Sequence, residues 1–166
     1  MSKDHLLTAD SLRAMLDYSP STGLFTWKKN RGSALAGSNA GNINSNGYLT
    51  VGLIGGKFRL HRLVWLHYYG HWPVGTVDHL NGLRTDNRLC NLRDVPQCIN
   101  MQNRRSPSKS NVCGVLGVYW SDRRNGFMAS IKLQGKQKRR GPYKTKERAY
   151  SAYIDMKRVH HEGCTL

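Results

Sequence analysis

The chain reads as an α+β protein built from small modules, and three observations predict it. Strand-like runs such as YLTVGLI, KFRLH, GVYWS and FMASIKL are short and bounded by turn residues. The amphipathic stretches between them fit helices of a few turns. Composition shifts break the chain at a Gly-, Asn- and Ser-rich stretch and again at SPSKSNVCG. The 166 residues divide on these marks into residues 1–46, residues 47–105, a linker at 106–116 and residues 117–166. The order of elements predicts a helix and hairpin module, a core of two strands and a helix, and a three-stranded antiparallel sheet packed on one helix.

The first module opens with TADSLRAMLDY, where Thr8 or Asp10 can cap a short helix with Leu12, Met15 and Leu16 on one face. SPSTGLFTWKK is a turn leading into an aromatic strand, and residues 31–46 are small and polar enough to track along a nucleic-acid backbone or to form a solvated loop. From Gly47, YLTVGLI and KFRLH predict a hairpin through Gly55-Gly56, a dipeptide suited to positive backbone angles. HRLVWLHYYGHWP then fits a helix carrying Leu63, Val64, Leu66 and Tyr69, stopped at Gly70 with Pro73 beyond it. Val77, Asp78 and His79 end a short strand, Asn81-Gly82 turns the chain, and residues 89–95 form a second strand. Pro96 suits the first turn of a helix through Gln97, Asn100, Gln102 and Asn103. After the linker come strands at GVYWS, FMASIKL and KRRGPY, with turns at DRRNG and QGK. A helix over 146–161 follows, capped by Thr145, with Ala149, Ala152, Tyr153 and Met156 on its inner face.

Charge narrows the partner. Lys and Arg number 26 against 10 Asp and Glu, a formal charge of +16 that points to a polyanion. Residues 104–166 hold 15 of those basic residues against 4 acidic ones. A membrane surface would call for a basic amphipathic helix or a lipid anchor, whereas the cations here lie in glycine-rich, strand-like segments. MSKDHLLTAD has no apolar core of signal-peptide length, and LVWLHYYGHW is too short and polar to span a bilayer. An intracellular protein with nucleic acid as its partner is expected. Cys90, Cys98, Cys113 and Cys164 form no CxxC pair, so buried or half-buried thiols are expected and zinc is not. His61, His67 and His71 lie on or beside the predicted helix and read as packing or surface residues; His67 and His71 have i,i+4 spacing but no glutamate between them.

The chemistry concentrates in VDHLNGLRTDNRLCNLRDVPQCINMQNRR. An acid beside an imidazole, followed by carboxamides, supplies a hard-cation anchor, a base near neutral pH, and groups that hold both. Asp78 and Asn100 can put oxygens on one cation, and this ligand type suits Mg²⁺ or Mn²⁺ with retained waters. His79 is the natural general base, because an unperturbed imidazole titrates near neutrality. Asn91 would hydrogen-bond the imidazole or nearby backbone and fix the ring. Asn87 and Asn103 stand close enough in sequence to take over the roles of Asn91 and Asn100.

DH followed by NG, then NL, then an Asn-rich basic helix resembles the HNH endonucleases, in particular the phage and intron-encoded homing enzymes whose last motif position is Asn. The resemblance covers roughly residues 9–105 and implies a ββα-metal core that cuts DNA, one strand per centre. It places water activation on His79, one divalent cation on Asp78 and Asn100, and orientation on Asn91. Val95-Pro96 departs from the Ser or Thr cap expected before the last helix.

A three-stranded sheet backed by a helix can lie in the major groove of double-stranded DNA, with alternate strand residues facing bases and phosphates. The candidate contacts are Arg104, Arg105, Trp120, Arg123, Arg124, Lys132, Lys136, Lys138, Arg139 and Arg140. The run from GVYW to the Ala- and Tyr-rich helix resembles the ethylene-response-factor type of DNA-binding domain. The expected protein is therefore a DNA endonuclease anchored by a C-terminal sheet. A non-catalytic DNA-binding protein that keeps the same fold and an RNA-directed protein are the competing readings. Target sequence and oligomeric state are not encoded legibly.

Overall fold

Thr8 starts the first helix by capping it: its side chain accepts from the Ser11 N–H while the Ser11 hydroxyl accepts from the Thr8 N–H, a reciprocal box. Such a cap stabilises a helix end by about 1 kcal/mol. In the computed structural model, which describes residues 6–54 and 56–165, this helix is α1, Ala9–Met15. Leu16, expected on its face, instead begins strand β1 and is fully buried there.

The chain forms two compact units, Met1–Gln97 and Cys98–Leu166. The first is a chain of antiparallel hairpins with two α-helices among them. Strands β1 (Leu16–Ser19) and β2 (Leu24–Trp27) pair through a turn at Gly23. That glycine is required: its φ is +74°, and a Cβ there would lie 2.5 Å from the Arg88 backbone nitrogen. Residues 31–46 are tied down by a bridge between Arg31 and Ala34 and by strand β3 (Asn42–Ile43), which pairs with β4 (Leu49–Leu53). β4 and β5 (Gly56–Arg59) make the expected hairpin; of its turn dipeptide, Gly55 lies outside the described residues. Helix α2 (Leu60–Tyr69) follows and stops where Gly70 takes the left-handed conformation at φ 80°. Its Leu60, Leu63, Val64 and Leu66 pack with Leu12, Phe25, Val51 and Phe58, each such side chain contributing about 1.5–3 kcal/mol by leaving water.

Strands β6 (Thr76–His79) and β7 (Leu92–Val95) close the first unit as an antiparallel pair. The second strand is shorter than expected, because Leu89–Asn91 form a 3-10 turn before it. Cys90, in that turn, and Cys98 are exposed rather than buried, whereas Cys113 and Cys164 are half-buried.

Helix α3 (Gln97–Gln102) leads into the second unit. Its end is tied to the far end of that unit. The Lys157 ammonium donates to the Arg104 carbonyl at 2.9 Å, and the Gly163 N–H donates to Gln102 Oε1 at 2.9 Å. Thr165 donates to Asn103 and accepts from Arg105. Strands β8 (Val118–Ser121), β9 (Gly126–Leu133) and β10 (Lys136–Tyr143) form a meander with β9 in the middle. Asn125 takes the left-handed angles that the first turn needs. Helix α4 (Lys146–His160), capped by Thr145, buries Ala149, Ala152, Tyr153 and Met156 as expected, the last three against Ala129 and Ile131. Among the described residues no helix is long and apolar enough to cross a membrane.

Candidate active site and nucleic-acid interface

His79 ends β6 with its ring buried, 5% exposed. Its Nε2 lies 3.0 Å from Asn87 Oδ1. A carbonyl oxygen only accepts, so Nε2 carries the hydrogen and Nδ1 carries the lone pair. Burial pushes the imidazole below its ordinary range; the Asn87 bond and the Asp78 and Asp86 carboxylates oppose this, and Arg84 reinforces it. That lowering favours the neutral form of the ring. Around it stand His61, whose ring centroid is 5.1 Å away edge-on, and Tyr48 at 6.1 Å. His61 is buried and held to about 3, first by desolvation and then by His79, Arg59 and Arg62.

Asp78, one residue earlier on the strand, is also buried. Its Oδ2 accepts from Arg93 Nε at 3.1 Å and Nη2 at 2.9 Å. Arg93 is its cross-strand partner on β7, a pairing the β6–β7 register dictates and the sequence reading missed.

The loop between the strands is fixed by side chains reading its own backbone. Asn91 Oδ1 accepts the Asn81 N–H at 3.0 Å and its Nδ2 donates to the Asp86 carbonyl at 2.8 Å. Asn91 thus holds nearby backbone, one of the two roles expected of it, and the imidazole bond falls to Asn87. Asp86, lowered to about 2 chiefly by its bonds with Arg88, clasps Arg88 and Asn81. Tyr18, reaching over from β1, donates to the Asn87 carbonyl and accepts the Leu89 N–H, both at 3.0 Å. The hairpin at Gly23 therefore supports the loop that orients His79. Tyr18 had no sequence signal, since it lies in a strand far from the motif.

Asn100 lies half-buried on α3 in the second unit, and Asn103 is buried against Thr165. Asn103 is thereby committed to anchoring the chain end. Among the described residues no cluster of three or more His, Cys, Asp or Glu has metal-holding geometry. A cation that keeps most of its waters needs few protein ligands, and the buried Asp78 carboxylate is one hard oxygen donor.

In the second unit the strand register sorts the candidate DNA contacts, because side chains alternate between faces. Val118 and Lys138 pair with the helix-facing Ala129 and Ile131, and Arg140 also pairs with Ala129. Trp120 lies on this side as well, its ring 4.9 Å from Phe127. Lys136, two residues before Lys138, shares that side. The opposite, open face carries Lys132 and Arg139 beside Tyr119, Ser130 and Gln137. A shallow groove there is lined by Asn111, Tyr119, Ser121, Ser130, Gln137 and Arg139. The expected set is thus split: Lys136, Lys138 and Arg140 are exposed but do not share the open face. Arg123 and Arg124 lie exposed on the 3-10 turn after β8, Arg104 is exposed, and Arg105 is bonded to Thr165.

A family model described as HNH endonuclease matches residues 58–102. DNA endonuclease I-HmuI of Bacillus phage SP01 is 41% identical over 75 residues, covering 42% of this chain and 43% of that protein. Protein 3.8 of Escherichia phage T7 is 35% identical over 80 residues, covering 48% of this chain and 65% of that protein. The chain thus spans less than two thirds of either relative in these matches. A solved structure described as DNA binding and cleavage by the HNH homing endonuclease I-HmuI superimposes with a TM-score of 0.44 and 24% identity, over 90% of this chain and 88% of that one.

Proposed function

With residues 58–102 belonging to the HNH endonucleases as premise, we propose that this chain is a metal-dependent DNA endonuclease of the homing type that hydrolyses one phosphodiester bond per site. The observation that carries the reading is the placement of His79: buried beside Asp78, with Nε2 held 3.0 Å from Asn87 Oδ1, which leaves Nδ1 as the nitrogen assigned to accept a proton. In this reading Nδ1 takes a proton from water as its oxygen attacks phosphorus, and the bond to the departing sugar oxygen breaks. Asp78 and Asn100 would hold one divalent cation, Mg²⁺ or Mn²⁺, which when bound polarises the phosphate and offsets charge on the leaving oxygen. Asn87 orients the base; Asn91 and Tyr18 hold the loop that presents Asn87.

The C-terminal sheet module, residues 117–166, anchors the enzyme on double-stranded DNA. Its open sheet face, with Lys132 and Arg139, reads the groove, while Arg123, Arg124, Lys136, Lys138 and Arg140 serve phosphates from the rim. DNA inside a bacterial or phage-infected cell is the setting that fits.

A second reading, a DNA-binding protein without catalysis, is favoured by one contact: Asp78 is already ion-paired with Arg93, and a cation would have to share that carboxylate. Incubation of supercoiled plasmid with Mg²⁺ separates the two. Relaxation that disappears with EDTA and in His79→Ala is expected for the nuclease, whereas a gel shift with intact plasmid under every metal tried refutes it.

A further inference from the structure

Tyr48, beside the reacting centre, gathers two cations. The guanidinium carbon of Arg59 lies 4.7 Å from its ring centroid and that of Arg84 lies 5.0 Å away. They come from different places: Arg59 ends strand β5 just before α2, and Arg84 sits in the loop between β6 and β7. Arg84 is fixed further by donating to the Asn46 carbonyl at 2.6 Å. Both side chains are exposed, and among the described residues neither is ion-paired with a carboxylate. Three acids within the same motif, Asp78, Asp86 and Asp94, are engaged elsewhere, with Arg93, with Arg88 and with the Val74 and Gly75 amides. Two like charges are thus held within 5.0 Å of one ring centroid, each attracted by the ring, and an anion bound nearby lowers the repulsion between them. The Tyr48 ring is 6.1 Å from that of His79 and 5.3 Å from that of His61, so this anion would lie against the proposed reaction centre.

We propose that Arg59 and Arg84, stacked on Tyr48, form a clamp for a DNA phosphate neighbouring the one attacked at His79. A phosphodiester matches the planar fork of arginine, which donates two parallel hydrogen bonds to paired oxygens. Tyr48 serves as the platform against which both guanidiniums are held. The assignment rests on the nuclease reading only for what it calls the attacked phosphate; the clamp itself is a binding site.

The test compares the full-length wild type with Arg59→Ala/Arg84→Ala, Tyr48→Ala and Tyr48→Phe, using a fluorescent duplex of mixed sequence in Ca²⁺ buffer over a range of salt. Removing one phosphate contact should lower the slope of log affinity against log salt by about 0.9. Affinity at fixed salt should fall about tenfold or more in the double variant and in Tyr48→Ala, and Tyr48→Phe should match wild type. Phosphate-ethylation interference on bound duplex should lose one sensitive position in the double variant. Unchanged slope and an unchanged interference pattern in the double variant overturn the clamp. Plasmid that is bound but never cut, with the interference position present in wild type and lost in the double variant, supports the clamp while refuting the nuclease.

Discussion

Acidification should destabilise the first unit through His61. The ring is 3% exposed, its Nδ1 has no hydrogen-bond partner among the described residues, and burial holds it to about 3 against an ordinary 6.5. Its folded value lies below its unfolded value. The contribution to stability is therefore complete above about pH 6.5 and is lost as pH falls toward 3, because the unfolded chain takes the proton first. Linkage gives a loss of about 2 kcal/mol at pH 5 relative to pH 8, rising to about 4 kcal/mol near pH 3.5. His67 and His79 are shifted the same way but persist in a His61→Gln variant, so comparing the two proteins isolates His61. Urea titration followed by tryptophan fluorescence is the assay; Trp27, Trp65 and Trp72 report on the first unit. Wild type should lose about 2 kcal/mol more than the variant between pH 8 and pH 5. Equal losses in both would mean that His61 is hydrated or partnered in solution, and the reasoning would fail.

Other perturbations separate neighbouring roles. Asn87→Ala removes the acceptor at His79 Nε2 and should cut the cleavage rate about 10- to 100-fold with duplex affinity unchanged, as read by single-turnover nicking and a gel shift. Asn91→Ala strands the Asn81 N–H and the Asp86 carbonyl, so it should cost about 1–3 kcal/mol in urea unfolding; an unchanged midpoint would count against the loop-holding role. Arg139→Ala, on the open sheet face, should weaken DNA binding by about 1–3 kcal/mol and relax sequence preference. Lys138→Ala, on the helix side, should weaken binding to all sequences alike; the reverse pattern in a selection from random duplexes would contradict the face assignment.

Local signals were the legible ones. The Thr8 and Thr145 caps, the stop at Gly70, the β4–β5 hairpin and the inner face of α4 each follow from a few adjacent residues, and the structure has them where periodicity and capping put them. The place of Asp78 and His79 at the end of a strand was legible because the turn residues Asn81-Gly82 follow them directly. What escaped depends on pairing across the chain. Arg93 faces Asp78 only once the β6–β7 register is known, and Tyr18 reaches Asn87 across 69 positions. The choice between Asn87 and Asn91 turned on the 3-10 turn at Leu89–Asn91, which aims Asn91 at backbone. Strand alternation in the C-terminal sheet was readable in principle, yet a count of basic residues could not say which face α4 covers.

The ties that fasten residues 102–105 to Lys157, Gly163 and Thr165 set where such a protein can be cut and rejoined. A chimera spliced within 106–116, the apparent hinge by composition, takes these four residues and their anchors from different parents, so the side-chain ties of Gln102, Asn103 and Arg105 survive only where both parents carry them. A splice ahead of residue 97 keeps them together. The second kind should withstand more urea than the first. Asn100, the nominated cation ligand, is then inherited along with the C-terminal sheet, while Asp78 and His79 are inherited from the other parent.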